Sequence, residues 1–599
     1  MKRHRKAKIL STLGPTSSSL EIIENLFIEG TDIFRLNFSH GSIEQHRKNT
    51  EMIRNLEKKY NYSTCIIADL QGPKLRIGNF KNSKEKLNIG QKFKLDLSTE
   101  LGDLKRVNFP HPEIYEILTP NSIILIDDGK IKMQVIEQGK DYLITELLND
   151  GIISNSKGVN IPDTILPISP ITNKDKGDLD KALDMGVDWI ALSFVQSAEN
   201  VNELKKIVEN KALIMAKIEK PSAVKNLKKI LNVSDGIMIA RGDLGVELPP
   251  ERVPAIQKNI IQECREAGKP VVVATQMLES MINNNTPTRA EASDVANAIY
   301  DGADAVMLSA ESAIGKFPIE SVKMMNNIIE SVENDSENYS ESIQMQNKHD
   351  TSITDAITNA ANTISKNARA KAIVTFSVSG QTTFRMSRQR APVRVVGISP
   401  NIKTARKLQM AWGVHSCLGD DAQNTKEMVA NACSIIKKAD LVQPDDFIVI
   451  SGDINSAILV LEAPIDAEIG TEIEIYLTVY DGTANSENPD VYVYVGISDC
   501  LHASEWNDYW ENVQYNAASL EDWESLAWDI SESLERLCFY VSVYDDDGWG
   551  NDDMLDFVPG GGSHVEIEFD LSSGILSDNG EGIDEWNFDN RGENEVSIL

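Results

Sequence analysis

Three stretches of this chain carry residues able to work on one substrate. In MIARGDLGVEL (238–248) an apolar run stops and Asp243 follows, held between Gly242 and Gly245. Glycine there lets the backbone turn sharply and approach a ligand, so Asp243 is either a turn-former or a ligand for an ion. In ALIMAKIE (212–219) Lys217 and Glu219 stand two residues apart, which is one face of a strand. Two carboxylates completed by water and substrate oxygens are how proteins usually hold magnesium, and Glu219 with Asp243 supplies that pair. Arg35, in DIFRLNFS (32–39), and Arg76, in DLQGPKLRIG, add forked donors matched to phosphoryl oxygens. Magnesium, a lysine and two arginines together describe phosphoryl transfer, where catalysis is mostly positioning and charge neutralisation.

Elements must aim these groups at one place. Short apolar runs at 7–14, 32–39, 64–70, 189–194, 212–219, 236–243, 270–277 and 305–311 alternate with amphipathic stretches that end at glycine, such as SLEIIENLFIEG. Eight strand–helix units predict an α/β fold, a (β/α)8 TIM barrel, built from 1–70 and 168–345. Residues 71–167 interrupt it with strand-rich sequence (KFKLDLS, SIILIDDGKIKMQVIEQG, YLITELL) that reads as an inserted β-barrel lid over the barrel mouth. The strand ends carry Arg35, Asn37, Ser39, Asp69, Ser193, Lys217, Glu219, Asp243, Thr275, Ser309 and Glu311, on the face where such barrels do chemistry. Any one of them could instead be a helix cap or an ion-pair partner; seven strands of eight ending this way is hard to ascribe to capping.

Charge divides the chain. Residues 457–599 contain 34 acidic and 2 basic residues, no lysine and six of the eight tryptophans, whereas 1–456 is electrically neutral. A neutral balance argues against nucleic acid, which needs a basic face. The six cysteines form no CxxC pair, the polar start lacks a secretory apolar stretch, and no apolar run nears the ~18 residues of a membrane helix. A cytoplasmic protein that spans no membrane is expected.

AKILSTLGPTS, FRLNFSHG, DLQGPKLRIG, IDDGKI, SKGVNIP, AKIEK, DGIMIARGDLGVE, VVVATQMLESM, PTRAEASDVANA and DGADAVMLSAES, in this order, resemble the pyruvate kinase family over about 1–456. The resemblance implies phosphoryl transfer from phosphoenolpyruvate to ADP, giving pyruvate and ATP. It implies Lys217 as the group supporting the phosphoryl in flight, Glu219 and Asp243 as magnesium ligands, and the Gly242 amide with Thr275 on the substrate carboxylate. Arg35 and Arg76 would grip phosphate, His40 and Lys157 the nucleotide, and Thr275, Ser309 and Glu311 would lie where the enolate is protonated. Asn37, Ser39, Asp69 and Leu70 match a monovalent-cation shell. Lys74 stands where potassium-requiring members usually have glutamate, so potassium is not expected to be required. Pro73 and Pro162 would act as lid hinges. Residues 350–456 match the family's open α/β domain, with SVSGQT (377–382) as effector loop. Val378 stands there in place of a common lysine, and the family's closing loop and strand are absent after Asp453, although AILVL (457–461) has the pattern of a strand. The family's tetramer uses that domain, so a homo-oligomer weakened by the truncation is expected.

The acidic tail alternates like an antiparallel β-sandwich, and NPDVYVYV with VYDDDGWGNDD resembles a C2-type calcium module. Asp481, Asp490, Asp545, Asp547 and Asp553 could crowd calcium, which takes many oxygen ligands; the plain alternative is a solvated acidic surface. The abrupt change in composition reads as a fusion. Two other functions compete with the kinase. One is a magnesium-dependent barrel lyase acting on pyruvate-like enolates; the other is a calcium-binding module with the barrel as passenger.

Overall fold

The structure, a computed structural model, describes residues 3–162, 164–335, 353–420, 425–439, 441–442 and 446–451, and beyond them the backbone of short strands between 458 and 598. Eight parallel strands, β1 (Lys8–Leu13), β2 (Ile33–Asn37), β3 (Cys65–Asp69), β4 (Trp189–Leu192), β5 (Leu213–Ile218), β6 (Gly236–Ala240), β7 (Val271–Ala274) and β8 (Ala305–Leu308), close into a barrel in chain order, with β8 beside β1. Their side chains are buried almost throughout, which is why they read as continuous apolar runs rather than alternating ones. Helices cover the outside. Leu20–Glu29 is capped by Ser19, whose side chain accepts the Ile22 amide, and it buries Ile23, Leu26 and Phe27, each worth about 1.5–3 kcal/mol.

Strand six is shorter than its apolar run suggests. Pairing of β6 with β7 ends at Ala240↔Ala274, and Arg241–Glu247 is a short helix. Asp243 therefore lies in the first turn of a helix, not on a strand end, because GDLG no longer has a neighbouring strand to bond. In the insert, hydrogen bonds make a six-stranded sheet and a ribbon of Lys84–Leu87 with Gly151–Ser154. The sheet ends in strands of two and three residues, Val159–Asn160 and Arg106–Asn108, and the segment from Leu75 to Gly78 bridges these ends: the Leu75 carbonyl accepts the Val159 amide at 3.0 Å, the Ile77 amide donates to the Lys157 carbonyl at 3.0 Å, and the Gly78 amide to the Asn108 carbonyl at 2.8 Å. Leu75, Phe93, Phe109, Ile126 and Met133 fill its own core.

Both stems of the insert are clasped by one buried carboxylate. Asp175 Oδ1 accepts the amides of Gln71 (3.0 Å) and Gly72 (3.2 Å), while its Oδ2 closes a capping box with Thr172. Gly72 has φ +69°, and a Cβ there would stand 2.7 Å from the Phe194 ring, so the exit stem admits only glycine.

At the opposite end of the barrel, Asp32 is fully buried, 2.8 Å from Arg5 Nη1, and accepts the Ile9 amide at 2.9 Å. Burial pushes its carboxyl up, but Arg5, Lys8 and Arg3 with the Ile9 amide outweigh burial and hold it below the ordinary range. A folded-state value below the unfolded one means stability that is present above the ordinary carboxylate range and lost as pH falls through the lowered value. Asp32→Asn is expected to cost about 3–5 kcal/mol near neutrality, since it strands buried cations, and progressively less as wild type is taken into acid. Urea midpoints of both proteins between neutrality and strong acid test this; a gap that stays constant with pH refutes it.

Ile402–Val414 belongs to the same compact unit as the barrel. Arg406 grips Glu57 through Nε and Nη2, and the Trp412 amide donates to Asp304 Oδ1 at 3.2 Å. Strands Val414–Leu418, Arg394–Ser399, Ala372–Phe376 and Phe447–Ser451 form a sheet in that order, as an open α/β domain requires. The SVSGQT loop turns at Gly380, φ +88°, whose amide donates to Ser377 Oγ at 3.0 Å.

Beyond residue 457 the described strands extend that sheet edge to edge: Ile458–Glu462 on Phe447–Ser451, then Ile473–Thr478, Val493–Ser498, Arg536–Ser542 and Val565–Asp570, all antiparallel. AILVL does supply a strand beside Phe447–Ser451. The expected two-layered sandwich is not what these pairings form, because the open edge of Phe447–Ser451 is itself a template for the next extended segment. Asp545 pairs opposite Asp553 in a two-residue ladder; Asp481, Asp490 and Asp547 lie outside the described residues.

Candidate active site

At the C-terminal mouth of the barrel one ammonium organises two carboxylates. Lys217 Nζ lies 2.8 Å from Glu219 Oε1 and 3.2 Å from Asp69 Oδ1, and donates to Ser193 Oγ at 2.8 Å. Ser193 donates in turn to the Leu70 carbonyl at 2.7 Å. Asp69 Oδ2 receives Arg35 Nε and Nη2, both at 2.7 Å, and Arg35 Nη1 reaches Thr12 Oγ1 at 3.1 Å. Glu219 Oε2 accepts the Phe194 amide at 2.8 Å. Register explains the convergence: Asn37↔Asp69 ends the pairing of β2 with β3, and Lys217 sits one residue from the end of β5.

Burial sets the electrostatics. It would push the Lys217 ammonium down, yet Asp69 and Glu219 outweigh it and hold the group well above the ordinary lysine value. Asp69 is likewise pushed up by burial but held below its ordinary range by Lys217 and Arg35. Glu219 is the exception: burial, aided by the nearby Asp243 carboxylate, raises it despite Lys217. Glu219 and Asp243 are the two carboxylates that could share a cation here, and the Lys217 ammonium already pairs with the first. Asp243 is exposed toward solvent. Among the described residues no three His, Cys, Asp or Glu side chains cluster as a metal site. The donor set is therefore a pair of carboxylates with open positions, which fits magnesium keeping most of its waters.

A second group lies beside the first. The Gly242 amide donates to Thr275 Oγ1 at 2.7 Å, and Thr275 donates to the Ala274 carbonyl at 2.6 Å. Thr275 (φ +68°), Gln276 (φ +54°) and Phe194 (φ +57°) all hold left-handed backbone without being glycine. Such conformations cost of order 1–3 kcal/mol each and cluster at functional sites. Arg241 ties down Thr275 and Gln276: its guanidinium donates to the Thr275 (2.9 Å) and Gln276 (3.1 Å) carbonyls and to Asp294 (2.8 Å). Glu311 is raised by burial, and its two oxygens accept the Leu278 and Ser309 amides at 3.1 and 2.8 Å.

Other expected site residues stand apart from this network. Asn37 Oδ1 accepts the Ser39 amide at 3.1 Å, and Ser39 and His40 are exposed. Arg76 is exposed and donates to the Ser156 carbonyl at 2.7 Å, within the insert. Lys157 pairs with Asp127 at 2.9 Å. Lys74 is exposed, its Cε running beside Gly158. Sequence reasoning overlooked Asp127, although IDDGKI contains it, and Arg241, although it stands inside ARGDLG. It also overlooked the Phe194 amide, for which side-chain type carries no signal.

The pyruvate kinase barrel-domain family matches residues 4–322, and the pyruvate kinase alpha/beta-domain family matches 355–457. Similar curated proteins include a pyruvate kinase of Methylorubrum extorquens, 47% identical over 75% of this chain and 94% of that protein. Another, from Agrobacterium vitis, is 44% identical over the same shares. A crystal structure of a pyruvate kinase from Cryptosporidium parvum superposes with a TM-score of 0.73 at 34% identity, covering 77% of this chain and 96% of that one. With a closed eight-strand barrel, the Lys217 network at its mouth and relatives matched over nearly their whole length, the chain belongs to the pyruvate kinase family of phosphotransferases.

Proposed function

We propose that the site moves a phosphoryl group from phosphoenolpyruvate to ADP through the residues gathered around Lys217. The observation that carries this reading is the buried network in which one ammonium bridges Asp69, Glu219 and Ser193 beside Arg35. Glu219 and Asp243 would hold magnesium, which when bound neutralises phosphoryl and carboxylate oxygens. Arg35 orients the phosphoryl oxygens from one side and Arg76 from the insert. Lys217, kept charged by its carboxylate neighbours, meets the charge on the phosphoryl as the bond to the enol oxygen breaks and the bond to the terminal ADP oxygen forms. The Gly242 N–H and Thr275 hydroxyl, which bond each other here, turn to the substrate carboxylate. The enolate left behind takes a proton at its methylene carbon, delivered by water held at the Thr275 and Ser309 hydroxyls, with Glu311 fixing Ser309. His40 and Lys157 take the nucleotide, and Asp127 holds Lys157 in place until it does.

Asn37, Ser39, Asp69 and Leu70 form the monovalent-cation shell, with Lys74 supplying the charge covalently. The enzyme is cytoplasmic and a homo-oligomer; among the described residues no helix is long and apolar enough to cross a membrane. Pyruvate formation from phosphoenolpyruvate, followed with and without ADP, tests the reaction. Turnover requires ADP and magnesium in this reading, and ADP-independent consumption would point to a lyase instead.

For 457–599 the cross-strand pairing of Asp545 with Asp553 favours calcium binding by the acidic segment as a second, separate property. Calorimetric titration of calcium into the full chain should give saturable heat that disappears in Asp545→Asn/Asp553→Asn. Featureless dilution heat in wild type refutes it.

A further inference from the structure

The short helix Arg241–Glu247 carries Asp243 in its first turn and Glu247 at its end, one helical turn further on and fully within the protein. Glu247 Oε1 receives the Lys220 ammonium at 2.9 Å, in an ion pair whose side chains are only 3% and 2% exposed. Lys220 is the residue after Glu219. The ion pair thus joins the segment bearing one proposed magnesium ligand to the helix bearing the other. The same oxygen also receives Asn160 Nδ2 at 2.9 Å, and Asn160 lies on the inserted domain, three residues after Lys157. The insert comes near this helix a second time: a Cβ placed on Gly129 would stand 3.8 Å from Val246, and Gly129 lies in the turn whose Asp127 holds Lys157. Glu247 Oε2 is buried without a partner.

We propose that Glu247 is a positioning residue that couples the inserted lid to the metal carboxylates. A buried ion pair costs desolvation and yields little net stability against an apolar substitute, so a role in specifying geometry is the better account of it here. Lys220 and Glu247 brace the Glu219 segment against the Asp243 helix and so set the spacing of the two carboxylates. Asn160 makes that brace sensitive to where the lid stands. The vacant Oε2 gives its amide a second acceptor on the same carboxylate, so the contact can persist as the lid moves over bound nucleotide. The inference rests on the assignment of Glu219 and Asp243 to magnesium.

The test uses Mn2+ alone, titrated into the full chain and read from the free-ion paramagnetic resonance signal, beside steady-state kcat and the KM for ADP. Glu247→Gln is expected to weaken Mn2+ binding by about 10- to 100-fold, the usual effect of removing a group that orients a metal ligand. Because that change strands the Lys220 ammonium, Lys220→Met/Glu247→Gln is measured too, and the same loss is expected. Asn160→Ala should leave Mn2+ affinity unchanged and raise the KM for ADP several-fold with kcat little altered. Added to Glu247→Leu, which removes the acceptor that glutamine would keep, it should change that KM no further than Glu247→Leu does alone, since both act through one contact. Wild-type Mn2+ affinity in both Glu247→Gln variants, or additive effects on the KM, would overturn the coupling. Glu219→Gln reports separately on the metal assignment: wild-type Mn2+ binding there overturns that assignment, whereas lost binding there beside intact binding in the Glu247 variants overturns the brace alone.

Discussion

Lys217→Met is expected to lower kcat for ATP formation by on the order of 10³-fold or more, with the KM for phosphoenolpyruvate changed far less. Methionine is unbranched and flexible enough to fill the space of the lysine stem, so the barrel mouth keeps its packing. What disappears is one charge, placed 2.8 Å from Glu219 and 3.2 Å from Asp69, which in the proposed mechanism meets the phosphoryl in flight. Asp69 keeps Arg35 as partner and Glu219 keeps the Phe194 amide, so neither carboxylate is left bare. The proposed magnesium pair, Glu219 and Asp243, loses its internal competitor, and divalent-metal affinity should therefore hold or rise. That combination of retained metal binding and collapsed kcat separates a transition-state role from a structural one. A mutant that turns over near the wild-type rate refutes the role given to Lys217.

The second large effect concerns Lys74. Wild type is expected to be active in buffer free of sodium and potassium and to gain little when potassium is added, whereas Lys74→Glu should need potassium for most of its activity. In the proposed mechanism Asn37, Ser39 and Asp69 offer oxygen atoms beside the phosphoryl group, and one positive charge there helps to hold phosphate. An ammonium brings that charge covalently; a glutamate adds negative charge and favours a free cation. Two unit charges ~4 Å apart interact by ~4 kcal/mol at an effective dielectric of ~20, enough to decide whether a cation stays. Lys74 is exposed beside Gly158, on the stem of the insert, so its stem is free to swing as the lid moves. Rates measured in a tetramethylammonium buffer with potassium added stepwise decide the matter. A wild type inactive until potassium arrives would remove the assignment.

Much of this enzyme could be read before any coordinates. Eight buried parallel strands were legible because strands covered on both faces leave unbroken apolar runs, and the polar residues ending seven of the eight runs marked the mouth of the barrel. Lys217 and Glu219 shared a face by strand periodicity alone. The charge break near 456 located a change of chain character without revealing its form. There the expectation of a sandwich failed, since alternation identifies strands but not which edges they pair with.

Other features depended on the folded chain. That Asp243 sits on a helix was settled by where β6 ran out of a bonding neighbour, at Ala240. The left-handed Phe194, Thr275 and Gln276 carry no compositional mark, because distant groups hold them: Glu219 takes the Phe194 amide and Arg241 the Thr275 and Gln276 carbonyls. Asp175 clasping both stems of the insert, and Glu247 joining Lys220 to Asn160, unite residues 87 to 104 positions apart in sequence. Periodicity and turn chemistry are local and survive in a string of letters; hydrogen bonds closed across that much chain exist only once barrel and insert have packed.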